Sequence, residues 1–129
     1  MNEISIHGNV AADPTVHHGR EKHTVVQFTV GVTNRWYNRA ESRWETKPTV
    51  WHKVVCFGEL GENVAATVHK GTLVTVTGTV ADDSYTPDGR DQPVRRQKLE
   101  AADVAVSLRW ATATVVRSVR DQRPATVVA

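Results

Sequence analysis

At 129 residues, with 40% hydrophobic and 23% charged side chains, the chain has the size and balance of one folded domain that can bury its own core without staples. A single cysteine, Cys56, excludes an internal disulfide, and no stretch is apolar enough to span a membrane or act as a secretory signal, so cytoplasmic work is expected. A net charge of +2 is too small to announce a polyanionic partner, although it leaves room for an uneven distribution.

In residues 3 to 10, Ile4 and Ile6 alternate with polar neighbours and lead into Gly8-Asn9 and the turn chemistry of Asp13-Pro14, which predicts a first strand. A polar loop containing Gly19 follows. Residues 24 to 32 then place Val26, Phe28, Val30 and Val32 on one face and Gln27, Thr29 and Gly31 on the other, a half-buried second strand. Its extension carries Trp36 and Tyr37 into a charged connection, 38 to 48, and residues 49 to 57 form a third strand rich in branched and aromatic residues. A long hairpin is implied.

The period then changes. Leu60, Val64 and Val68 repeat every four residues, with Glu59 and Glu62 early, His69 and Lys70 late and Gly71 placed to terminate, which predicts a helix over 59–69. Val74, Val76 and Val80 alternate with threonines in a fourth strand. Residues 82 to 93, centred on Pro87-Asp88-Gly89, read as a turn or mobile loop, and 97 to 108 as a fifth strand. Residues 111 to 119 keep strand character through Val115 and Val116, an added C-terminal strand. The domain is therefore expected to run over 1–119, with a short flexible tail at 120–129.

Three strands, a short helix and two more strands are the order of an all-β, five-stranded oligonucleotide-binding (OB) barrel, whose helix lies between strands three and four. Within sixteen residues of the hairpin fall Trp36, Tyr37, Trp44 and Trp51, interleaved with Arg35, Arg39, Arg43, Lys47 and Lys53. Flat rings and cations together suit a groove for unpaired bases, because each base exposes a face worth about 1–3 kcal/mol when stacked. A second reading stays open, in which the rings are core and the charges the solvated face of the hairpin. Parity along strand three puts Trp51, Lys53, Val55 and Phe57 on one face and His52, Val54 and Cys56 on the other, and the first set suits nucleic acid. Trp44, among Arg39, Glu41, Arg43 and Glu45, either stacks on a base or caps the barrel.

No chemistry of catalysis is legible. His17, His18 and His23 fit no zinc pattern, and no nucleophile elbow, phosphate loop or paired-carboxylate arrangement occurs. Asp82-Asp83 could suggest a metal-dependent nuclease, but turn chemistry beside Ser84 explains those acids. Neither metal nor cofactor is expected, and the chain is not expected to be an enzyme.

At Trp51-His52-Lys53-Val54-Val55-Cys56-Phe57-Gly58 the chain resembles the bacterial single-stranded DNA-binding protein family, which carries W-H-[KR]-V-V-x-F-G there. Gly8-Asn9 with Asp13-Pro14 resembles the family's G-N…D-P, and Lys70-Gly71 with Gly78 its K-G…V-x-G, so that the resemblance covers residues 1 to about 110 in order. The run Leu108-Arg109-Trp110-Ala111-Thr112-Ala113 resembles members from high-GC Gram-positive bacteria, in which an added strand clamps one subunit to its neighbour. The resemblance implies a homotetramer. It places Trp36, Trp51, Phe57 and Tyr85 on the four base-stacking positions, the last usually tryptophan, and Lys53 and Lys70 on phosphate-binding ones. Arg35, Arg39, Arg43 and Lys47 could follow the same phosphate path, with Glu41 and Glu45 as weak competitors.

His17 replaces an arginine or another polar residue, Glu59 stands where lysine is common, and Asp82-Asp83-Ser84 departs from a stretch that is usually basic. His52 is expected against another subunit, with a satisfied histidine inside the barrel as the second reading, and Trp110 at a subunit contact. Cys56 reads most simply as a small buried hydrophobe. If strand three lay near a two-fold axis, an intersubunit disulfide through Cys56 would also be geometrically open. The family's acidic recruiting peptide has no counterpart in 117–129, where Arg117, Arg120 and Arg123 face only Asp121. The resemblance thus implies a tail-less paralogue, nucleoid-associated, with a tailed paralogue as candidate partner. Its expected work is sequence-independent wrapping and protection of single-stranded DNA in replication, recombination, repair or chromosome maintenance. The alternative is a primosome-type OB interaction module, and RNA binding is a third reading because stacking ignores the sugar.

Overall fold

Valines at every second position build most of the sheet, because branched side chains pack well on a pleated, half-buried surface. The computed structural model describes residues 3–18 and 23–118. It contains β1 (Glu3–Val10), β2 (Thr15–His18), β3 (Thr24–Val32), β4 (Arg35–Asn38), β5 (Arg43–Thr46), β6 (Val50–Phe57), α1 (Gly58–Thr67), β7 (Leu73–Asp82) and β8 (Gln97–Val106). Five strands close on themselves in the order β1-β7-β8-β6-β3, with β1 and β3 completing the ring through Asn9↔Gly31 and Val10↔Val30. All pairs are antiparallel except β6 with β8, which run parallel through Val54↔Leu99 and Val55↔Glu100. This is the five-stranded OB barrel, with its helix between the third and fourth barrel strands.

Alternation fills the interior. Val26, Phe28 and Val30 of β3, Val54 and Cys56 of β6, Val74 and Val76 of β7, and Leu99 of β8 form one buried cluster, which Val64 and Val68 of the helical segment cap. Each such side chain contributes roughly 1.5–3 kcal/mol by leaving water. Two glycines let strands approach closely: a Cβ on Gly8 would lie 2.3 Å from the Gly31 carbonyl oxygen, and one on Gly78 would lie 2.1 Å from that of Glu100. Gly78 sits at the bulge that bends β7 against β8.

Several expectations are corrected. The residues read as a polar loop after Pro14 include β2, which pairs with β3 from Thr15↔Gln27 to His18↔Thr24. The charged connection contains a separate ribbon, β4 with β5. The helix ends at Thr67, with the Val68 N–H bonded to the Val64 carbonyl at 2.8 Å. His69 and Lys70 therefore belong to the turn that follows, where Gly71 adopts φ +91. Asp13 Oδ1 accepts the Lys70 N–H at 2.8 Å and Asn9 Nδ2 donates to the Gly71 carbonyl at 3.1 Å, so the two turn motifs form one lock.

Among the described residues the added strand does not form. Residues 111–116 pair with no strand among the described residues, and a strand needs a ladder to satisfy its backbone groups. Ser118 Oγ instead donates to Glu59 Oε1 near the start of α1. The tail expected at 120–129 lies outside the described residues. Among the described residues no helix is long and apolar enough to cross a membrane.

Candidate nucleic-acid interface

Strand alternation turns Trp51, Lys53, Val55 and Phe57 to the outside of the barrel. The ladder sets Gly31 beside Trp51, Thr29 beside Lys53, Gln27 beside Val55 and Val25 beside Phe57. Six residues of strand separate the two terminal rings by about 20 Å. Trp51 is 62% exposed, and a Cβ on Gly31 would lie 2.6 Å from its Cζ3 atom. The indole therefore lies across bare glycine backbone, which holds the ring on the sheet while leaving it accessible. Phe57 is exposed as well, whereas Val55 is buried and gives a ligand no surface, against the expectation from parity alone.

A cleft of about 630 Å³ opens between Trp51 and Lys53 on one side and Asp82, Ser84, Arg95, Arg96 and Lys98 on the other. A smaller cleft of about 270 Å³ runs by Asp13, Thr15 and Gln27, and Lys53 lines both. Arg95, Arg96 and Lys98 were missed by sequence reasoning. Their close spacing at the head of the fifth strand was the available signal, obscured because parity is undefined before a strand's start is known.

The segment read as a turn or mobile loop is a paired arm with a turn at its tip. Beyond β7 and β8 the hairpin continues through the Asp83 N–H to the Arg96 carbonyl at 3.0 Å and through mutual bonds between Tyr85 and Val94, then turns at Pro87, where the Arg90 N–H returns to the Pro87 carbonyl. Ser84 Oγ donates to Asp82 Oδ1 at 2.6 Å, and that bond holds the Asp82 carboxyl below the usual carboxylate range. Asp83 Oδ2 accepts from Lys53 Nζ at 2.9 Å and pairs with the Arg96 guanidinium at 3.2 Å. The Lys53 hydrogen bond is the main reason the Asp83 carboxyl is also held low. Arg96 in turn lies 4.5 Å from the Tyr85 ring centroid, so one tyrosine face meets a cation.

The ribbon presents two faces. The register pairs Arg35 with Thr46 and Tyr37 with Trp44 on one, and Trp36 with Glu45 and Asn38 with Arg43 on the other. On the first, Tyr37 and Trp44 meet edge to face at 5.5 Å and Arg35 lies 5.8 Å from the Trp44 centroid. On the second, Arg43 Nη2 and Asn38 Nδ2 both reach Glu45 Oε1 at 3.2 Å. Trp36 and Trp44 thus share a ribbon but not a surface. Tyr37, absent from the expected stacking set, belongs with Trp44. Arg39 is exposed in the ribbon's turn, Lys47 lies just past β5 with its N–H on the Asn34 carbonyl, and Lys70 is exposed in the turn locked by Asp13. His17 shares a row with Val25 and Phe57 on the outer face.

Cys56 bears out its simplest reading, a small buried hydrophobe, and corrects the sharper one. It is wholly buried in the barrel core opposite Val26, and burial pushes its thiol up to about 12. A thiol enclosed by its own barrel reaches neither a second copy nor a subunit surface, so the interface role and the intersubunit disulfide both fall. His52 is half-buried, on the inner side of β6, and lines the larger cleft near Ile4 and Val80. Trp110 is 79% exposed, with the Arg109 guanidinium 5.1 Å from its ring. Among the described residues no cluster of His, Cys, Asp or Glu could hold a metal ion.

Comparison with known proteins bears on this arrangement. The family model described as "Single-strand binding protein family" matches residues 1–107. The single-stranded DNA-binding protein of Paenarthrobacter aurescens is 33% identical over 119 residues, covering 92% of this chain and 68% of that protein. That of Mycobacterium leprae is 34% identical over 118 residues, covering 91% and 69%. Among solved structures, the Plasmodium falciparum SSB complex with ssDNA superposes with a TM-score of 0.72 at 20% identity, covering 83% of this chain and 95% of that one. The small single-stranded DNA-binding protein from Streptomyces coelicolor gives 0.68 at 26% identity, covering 84% and 97%.

Proposed function

This chain belongs to the single-strand binding protein family, and on that footing we propose that it coats single-stranded DNA with little regard to sequence, as a non-enzymatic protector of exposed strands in replication, recombination and repair. One observation carries the reading: Trp51 lies exposed against Gly31, in line with Lys53 and Phe57 and beside a cleft lined by Lys53, Arg95, Arg96 and Lys98. Rings in that position stack on any base, and the cations exchange salt ions for phosphates. The two-faced ribbon adds Trp36 on one side and Tyr37 with Trp44 on the other, which suits a strand that passes around it.

The same reading includes assembly into a homotetramer. Its support is the segment after β8, where Leu108, Trp110, Val115 and Val116 expose apolar surface. Linked barrels would hold one strand through many weak contacts. Quenching of tryptophan fluorescence by a long thymidine oligonucleotide, with duplex of equal length as control, tests the proposal. Saturable quenching by the single strand alone is expected, and equal quenching by both, or by neither, would refute it. The alternative, an interaction module of the primosome type, draws support from Asp83, which ties up Lys53 and Arg96. Capture of replication proteins without nucleic acid, together with no strand binding, would favour it.

A further inference from the structure

We propose that Asp83 is a built-in competitor for the DNA backbone, a carboxylate that holds the groove's cations and so weakens strand binding and flattens its dependence on salt. The inference rests on the proposed strand-binding function. Lys53 Nζ at 2.9 Å and an Arg96 Nη at 3.2 Å converge on one oxygen, Asp83 Oδ2. These are the donors that would receive a phosphodiester oxygen, which also presents anionic oxygens to ammonium and guanidinium groups. A further cation of the cleft, Lys98, has its own acid, Glu100, at 3.9 Å.

Asp83 is fixed in place. Its N–H is bonded to the Arg96 carbonyl at the root of the paired arm, so the carboxylate is tethered beside both cations and acts at high effective concentration. An incoming phosphate must displace it and then lie near a carboxylate with no partner. Lys53 stands beside Trp51 on the line of exposed rings, which makes the competition fall at the centre of the surface.

Two effects oppose each other. Asp83 fixes the positions of Lys53 and Arg96, which favours binding, and it cancels one of their two charges, which disfavours it. Lys53 and Arg96 keep 33% and 48% of their side-chain surface exposed, so the pairs hold them in place only weakly and positioning adds little. Neutralisation removes a whole charge from the counterion balance. Competition therefore wins.

The experiment compares the whole protein with Asp83→Asn and with Asp88→Asn, an equal change of charge on an exposed turn residue of the same arm, by anisotropy of a labelled thymidine oligonucleotide over a range of salt. Each cation released should steepen the log-log salt slope by about 0.7, which over one decade corresponds to roughly fivefold tighter binding at 0.1 M salt. Asp83→Asn should show that gain, and Asp88→Asn less than about half of it. Adding Lys53→Ala should lower the slope more in the Asp83→Asn background than in the unaltered protein. Binding by all three proteins with equal slopes, equal gains in the two Asp→Asn variants, or weaker binding by Asp83→Asn would overturn the proposal alone. No binding by any of them would overturn it together with the strand-binding reading.

Discussion

Trp51 depends on a residue that has no side chain. Because a Cβ on Gly31 would meet the indole at 2.6 Å, Gly31→Val should lift the ring and lose much of what Trp51→Ala loses, about 1–3 kcal/mol of strand affinity for the alanine variant. Anisotropy of a labelled oligonucleotide measures both, and Gly31→Val binding as the parent would disprove the dependence. Asp82 and Asp83 carry a pH signature. Both carboxyls titrate below their unfolded values, so their bonds contribute stability in full above about pH 4, and that contribution fades as pH falls through the lowered folded values. Thermal melts from pH 6 down to pH 2 should therefore show a smaller acid loss in Asp83→Asn than in the parent. Cys56 behaves oppositely: burial favours the neutral thiol. A thiol reagent should label the folded protein slowly and the unfolded chain at once, and non-reducing gels should show monomer after oxidation.

At the scale of elements, the barrel strands were legible because their apolar residues alternate: β1 and β3 match the expected ranges, and β6, β7 and β8 differ only at their ends. β2, β4 and β5 were not, since four polar or aromatic residues carry no alternation to read and exist as strands only through their ladders. The arm around Tyr85 was obscured in the same way by its Asp, Pro and Gly, whose turn chemistry is real but confined to the tip. The bulge gives a direct test of strand packing. Gly78→Ala would place a methyl 2.1 Å from the Glu100 carbonyl oxygen, which is backbone and cannot swing aside. A loss of at least about 1–3 kcal/mol in denaturant melts is expected. An unchanged midpoint would show that β8 can slide away from the bulge.

For the whole molecule, the proposed homotetramer would cover the apolar side chains exposed after β8. Sedimentation should give a tetramer, and Trp110→Ser should shift the distribution towards smaller species without unfolding the barrel, as read by unchanged far-UV circular dichroism. A monomer at all concentrations would leave Leu108 and Trp110 without the proposed role. The barrel, its helix and the line Trp51, Lys53, Phe57 were legible from the residues alone, because alternation and a specific motif are written in neighbouring positions. The sequence did not show that Trp36 and Trp44 face opposite ways, or that Asp83 pairs with both Lys53 and Arg96. Those facts join residues as far as thirty positions apart along the chain. Local pattern fixes which way a side chain leaves its own strand, but only closure of the sheet decides what it meets there.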